Sequence, residues 1–149
     1  LRIGGATIGE NARINRWLTI HESGGSFSKL TIGDDVHIGK SVLIDLTGEV
    51  AIGNRVGIGM FSRILTHQNL GDSNLSQQYP KTKGDIEIPD DVVIAAGASI
   101  LYPTTLAPRT LVSAGSVVKG YHKNPCVLVG NPARPSMLIK NELEADENS

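Results

Sequence analysis

A chain of 149 residues with 14 Lys and Arg against 15 Asp and Glu has a formal net charge of −1, too balanced to neutralise a nucleic-acid backbone, and it is the length of one domain, 1–149. Its one cysteine, Cys126, excludes an internal disulfide framework and suits a reducing compartment. No apolar run approaches the roughly 20 residues of a membrane-spanning helix and no basic-then-apolar leader opens the chain, so the cytoplasm is the expected location.

An aliphatic residue returns every six positions: Ile8, Ile14 and Ile20, then Ile32, Ile38 and Ile44. After a two-residue slip the series resumes at Ile52, Ile58 and Ile64, and after a gap at Ile88, Ile94, Ile100, Leu106, Val112 and Val118. Six residues do not fit the 3.6-residue helical turn but make three strand periods, so each aliphatic falls on the same face. The spacing predicts a β-solenoid. Two positions before many of these aliphatics stands a small or β-branched residue (Val36, Val42, Val56, Ser62, Val92, Ala98), which also points inward. Gly33-Asp34-Asp35 and Gly53-Asn54 supply turn chemistry between the short strands. Three six-residue sides close an eighteen-residue coil, which predicts five coils, with Ile14, Ile32, Ile52, Ile88 and Leu106 stacked in one column.

The period breaks twice. Residues 21–29, with Ser26 at an aliphatic position, are expected to form a loosened side that keeps the register. Ile64 and Ile88 stand 24 positions apart instead of six, and the polar run 68–84 has nothing to offer a core, so a protruding loop is expected near 66–87. Long excursions from a compact domain commonly carry function. The tail from Pro135, with Met137, Leu138 and Ile139 before a polar end, is expected to cap the last coil as a short helix or tail.

Hexads of the form aliphatic-Gly-x-x-small-x, together with the closing runs Val112-Ser113-Ala114-Gly115-Ser116-Val117-Val118 and Val129-Gly130-Asn131-Pro132-Ala133-Arg134, resemble the hexapeptide-repeat acyltransferases over about residues 3–135. The chain is most similar to the maltose- and galactoside-type and surface-polysaccharide sugar O-acetyltransferases. The resemblance implies an all-β, left-handed parallel β-helix. It also implies acetyl-coenzyme A as cosubstrate, a sugar acceptor and a homotrimer with intersubunit active sites.

An imidazole titrates near neutral pH and can accept a hydroxyl proton. His67, at the root of the long loop, matches the position of the family's catalytic base. Asp45 follows Ile44, one coil below Ile64. It is placed to hold a sugar hydroxyl or orient the imidazole, or else serves as a turn residue at the two-residue slip. The resemblance puts the Ala96 amide at the oxyanion of the acyl transfer and Ala114, eighteen residues on, at the pantetheine arm. Coenzyme A phosphates call for basic residues, and Lys119, Lys123 and Arg134 are candidates, Arg134 from the family's Asn-Pro-Ala-Lys/Arg ending.

The other histidines have weaker claims. His37 is expected to face solvent, His122 lies on the exit turn, and His21 opens the irregular stretch where it could line a cleft. No two histidines are five residues apart, as the zinc carbonic anhydrases of this fold would need, so no metal is expected. Competing readings are N-acetylation of an amino sugar or amine, and a non-catalytic assembly scaffold. Acetyl transfer to serine is disfavoured as an expectation, because these 149 residues hold no counterpart of the helical domain of serine acetyltransferases. Trp17 and Phe61 are expected as exposed apolars for subunit contacts.

Overall fold

A computed structural model describes residues 4–21 and 24–138. The strands run β1 (Thr7–Ile8), β2 (Arg13–Ile14), β3 (Thr19–His21), β4 (Leu30–Ile32), β5 (His37–Ile38) and β6 (Leu43–Asp45). They continue as β7 (Val50–Ile52), β8 (Gly57–Ile58), β9 (Arg63–Leu65), β10 (His67–Gln68), β11 (Thr82–Lys83) and β12 (Ile86–Ile88). The last six are β13 (Val93–Ile94), β14 (Ser99–Thr105), β15 (Leu111–Val112), β16 (Val117–Tyr121), β17 (Cys126–Gly130) and β18 (Ala133–Leu138).

Parallel pairing winds these strands into the three-sided β-solenoid that the hexads predict, matching the left-handed β-helix that the resemblance implies. The first side stacks β1, β4, β7, β12 and the end of β14; the second stacks β2, β5, β8, β13, β15 and β17; the third stacks β3, β6, β9 and the starts of β14 and β16. Each side stacks aliphatics in columns, such as Ile20, Ile44, Ile64, Ile100 and Val118 on the third side. Ile44, Ile64, Ile100 and Val118 have no exposed surface. Among the described residues the fully buried core holds no aromatic side chain, because a coil this narrow has room only for aliphatics across its centre.

Two expectations of register change. Ile14 stacks on Ile38, while Ile8 stacks on Ile32, so the first-side column begins at Ile8. The cause is that part of 21–29 lies outside the coil. Ile8 and Ile32 are 24 residues apart, one six-residue side more than a regular turn, so this stretch is an insertion and shifts everything before it by one side. The second side also gains a sixth rung, Leu128, above Val112.

The carboxyl end differs too. Ala133–Leu138 is not helical but forms β18, folding back antiparallel on β17 and covering the open ladder of the last strand. The remainder of the expected cap, residues 139–149, lies outside the described residues.

The long loop leaves as expected. Its neck is a two-residue antiparallel pair, His67 against Lys83 and Gln68 against Thr82, and its tip contains a short 3₁₀ turn, Asn74–Gln77. The chain rejoins the first side at Ile86, directly above Val50.

Candidate active site

All three interruptions of the period fall at the corner where the third side meets the first. His21 ends β3, Asp45 ends β6 and His67 follows β9 by two residues, and β3, β6 and β9 are stacked neighbours. Each residue thus stands where one coil bulges, and stacking brings together positions 22 to 46 residues apart.

The two-residue slip and the long loop are bonded to each other. Thr66, wholly buried, donates its amide (2.8 Å) and hydroxyl (2.6 Å) to Asp45 Oδ2, and its hydroxyl oxygen accepts the Gly48 amide at 3.0 Å. Thr47 gives its amide (3.1 Å) and hydroxyl (2.8 Å) to Asp45 Oδ1. The Asp45 side chain is 2% exposed. Burial alone would raise its pKa, but the hydrogen bonds from Thr66, His67 and Thr47 outweigh that penalty and hold it at about 2.

His67 Nδ1 lies 2.7 Å from Asp45 Oδ2 and 3.0 Å from Thr47 Oγ1. An ionised carboxylate can only accept, so the shared proton sits on Nδ1. Nε2 is left as the basic nitrogen, on a ring 17% exposed. The Asp45 carboxylate, saturated by protein donors, orients the imidazole and has no free face for a sugar hydroxyl. His21 lies beside Asp45 in the adjacent strand, and its ring runs parallel to that of His67, with centroids 6.3 Å apart and planes 4° from parallel. From its own hexad His21 had a weak claim, since its position beside Asp45 follows from an insertion that the period alone does not reveal.

The proposed acyl-binding residues occupy a different corner. Gly97 N–H bonds Met60 O and Gly115 N–H bonds Ala96 O, which stacks Met60, Ala96 and Ala114 where the second side meets the third. Neither the Ala96 nor the Ala114 amide donates to any described residue. Arg134 pairs with Val129 just above this column, its guanidinium donating to Ala133 O at 3.0 Å. Ala96 lines a groove of about 460 Å³ on the second side, with Gly57, Gly59, Lys40, Met60 and Val93. A side chain on Gly59 would stand 2.5 Å from the Ala96 nitrogen, so only glycine leaves that amide uncrowded.

Lys119 and Lys123 do not join this column. Lys119 stacks on Leu101 at the His67 corner, its Nζ 5.3 Å from the Tyr102 ring, and Lys123 lies beside a smaller cavity of about 260 Å³ near Cys126. His37 is exposed on β5, 2.9 Å from Asn15, and His122 borders the Cys126 cavity. Trp17 and Phe61 are exposed on the Ala96 corner, both with left-handed backbones (φ 64° and 61°). Among the described residues no cluster of His, Cys, Asp or Glu could hold a metal ion, and no helix is long and apolar enough to cross a membrane.

A left-handed solenoid with an imidazole–carboxylate pair at the root of its long loop defines a hexapeptide-repeat transferase scaffold. A hexapeptide-repeat acetyltransferase of Vibrio cholerae, solved with acetyl-coenzyme A, superposes with a TM-score of 0.79 at 25% identity, over 92% of this chain and 72% of that one. A maltose O-acetyltransferase of Clostridium difficile gives 0.77 at 23% identity, over 91% and 70%. A probable serine acetyltransferase of Oryza sativa subsp. japonica is 37% identical over 106 residues, which are 67% of this chain but only 33% of that protein. No protein-family model matches the chain. By repeat, fold and these likenesses, the chain belongs to the hexapeptide-repeat acyltransferases.

Proposed function

We propose that the chain is an acetyl-coenzyme A-dependent O-acetyltransferase of sugar or polysaccharide-precursor hydroxyls, acting in the cytoplasm. The observation that carries this reading is the 2.7 Å bond that fixes His67 Nδ1 on buried Asp45 and leaves Nε2 as the base. A hydroxyl that attacks the thioester must lose its proton, and a base held this firmly is placed to take it. The activities of the Vibrio and Clostridium proteins support acetyl transfer, and that of the latter supports a sugar.

His67 Nε2 takes the proton, the acceptor oxygen attacks the thioester carbonyl, an amide at Ala96 receives the oxyanion, and the thiolate of coenzyme A leaves. Ala114 and Arg134, in line with Ala96, would hold the pantetheine and a phosphate. His67 and Ala96 lie at opposite ends of the third side, roughly 15 Å apart by strand rise, so one chain cannot present both to one carbonyl. A homotrimer solves this, with His67 of one copy meeting Ala96 of the next.

Release of free thiol from acetyl-coenzyme A in the presence of a sugar panel tests the reading. Turnover that falls by about 10²–10⁴-fold in His67→Ala supports it. Turnover with serine or amino sugars and none with neutral sugars would reassign the acceptor, and a monomer in sedimentation would defeat the shared site.

A further inference from the structure

The two-residue slip after Ile44 is not slack chain, because each of its amides has a fixed acceptor. Leu46 N–H bonds His21 O at 2.9 Å, Thr47 N–H bonds Asp45 Oδ1 at 3.1 Å, Gly48 N–H bonds Thr66 Oγ1 at 3.0 Å and Glu49 N–H bonds Asp85 Oδ1 at 2.9 Å. The Lys29 ammonium donates to the carbonyls of Leu46 (3.2 Å) and Thr47 (2.7 Å). A turn held at so many points presents the one hydroxyl it carries, that of Thr47, in a fixed place. That place is 2.8 Å from Asp45 Oδ1 and 3.0 Å from His67 Nδ1. Elsewhere at this corner the Tyr102 hydroxyl pairs with Thr82 Oγ1, with the Lys119 ammonium 5.3 Å from the Tyr102 ring, which ties down the neck of the long loop.

A count of lone pairs gives the Thr47 hydroxyl a role. Asp45 Oδ2 receives the Thr66 amide at 2.8 Å and the Thr66 hydroxyl at 2.6 Å, and these two donors fill the lone-pair directions of one carboxylate oxygen. His67 Nδ1–H, at 2.7 Å, is a third donor to the same atom. Thr47 Oγ1 offers Nδ1–H a second acceptor. Its single proton goes to Asp45 Oδ1, which is ionised and can only accept, so toward Nδ1 the hydroxyl oxygen accepts too. The imidazole N–H is shared in a three-centre bond. One acceptor leaves a ring free to rock about a single bond, whereas two fix its plane and the direction of Nε2.

Resting on the acetyltransferase reading, we infer that Thr47 is a positioning residue for the base: its hydroxyl takes part of the His67 Nδ1–H bond and so aims Nε2 at the acceptor hydroxyl. It acts through His67 and touches neither substrate, so its loss slows the bound complex without weakening binding.

The test uses the full chain as wild type, Thr47→Val, Thr47→Ala and Thr47→Ser, assayed by thiol release from acetyl-coenzyme A with the sugar that turns over fastest. All three variants keep the amide bond to Asp45, and Val also keeps the side-chain shape. Thr47→Val and Thr47→Ala are expected to lose about tenfold in kcat, with the KM for sugar and for acetyl-coenzyme A as in wild type, and Thr47→Ser to recover most of the loss. Proton NMR of the unliganded chain gives a readout that needs no turnover: the His67 Nδ1–H is expected to exchange with water about tenfold faster in Thr47→Val and Thr47→Ala, and at nearly the wild-type rate in Thr47→Ser.

A wild-type kcat, or wild-type Nδ1–H exchange, in folded Thr47→Val and Thr47→Ala would overturn the inference, even with a lowered melting temperature, because the hydroxyl would then serve the turn alone. A loss in Thr47→Ser equal to that in Thr47→Val would overturn it as well. These outcomes leave acetyl transfer standing. A wild type that releases no thiol with any acceptor overturns the acetyltransferase reading, and the exchange rates then decide by themselves whether Thr47 holds the ring.

Discussion

Asp45 and His67 stand 22 residues apart in the chain and 2.7 Å apart across one rung of the solenoid. Asp45→Asn keeps a side chain of the same shape but can donate to Nδ1, which places the imidazole proton on Nε2 and removes the base. The expected result is a fall in kcat of roughly 10²-fold or more with sugar KM little changed, measured by thiol release. Asp45→Ala should lose at least as much.

The same carboxylate makes folding pH-dependent. Its folded pKa, about 2, lies below the ordinary 3.8, so its stabilisation is fully present above about pH 4 and fades as pH falls through 2. The contribution is roughly 2 kcal/mol. Thermal melts between pH 5 and 2 should show wild type losing stability faster than Asp45→Asn, whose buried amide does not titrate.

Two glycines of one strand–turn segment should answer oppositely to substitution. Nothing lies within 4 Å of a side chain placed on Gly57, whereas one on Gly59 meets the Ala96 nitrogen at 2.5 Å. Gly57→Leu is expected to fold normally, fill the groove and raise the KM for acetyl-coenzyme A about tenfold or more. Gly59→Ala is expected to lower the melting temperature, because backbone must move to admit it.

Ile64 lies between Ile44 and Ile100 with no exposed surface and leads straight into the loop root. Ile64→Ala should cost about 2–5 kcal/mol in denaturant unfolding, because neighbouring rungs cannot collapse into the void. A smaller loss at an exposed outward position of the same strand, such as Arg63→Ala, is the comparison.

The six-residue spacing made the coil legible, because inward positions on a strand recur at even intervals and only aliphatics fill so narrow a centre. Which aliphatics stack was less legible. Ile14 and Ile32 are eighteen residues apart and look like one column, yet the insertion after His21 puts Ile14 on Ile38. The same miscount hid His21 from the site, since nothing in its own hexad reveals that it stands one rung from Asp45. Asp45 itself was legible by stacking under Ile64, but its buried, fully bonded carboxylate depends on Thr47 and Thr66, whose hydroxyls carry no pattern. β18 was missed because Pro135 and a polar end read as a loose cap, while an uncovered final ladder recruits whatever strand follows it.

Because the bulges at 24–29, 46–49 and 66–85 are superimposed on a single edge of the prism, the pocket's chemistry can be rewritten without disturbing the prism. Residues added or exchanged on that edge leave the buried columns and the other two edges in place. Grafting excursions of different length there, with the neighbouring rungs untouched, is therefore a direct route to enzymes of this shape with new acceptor preferences.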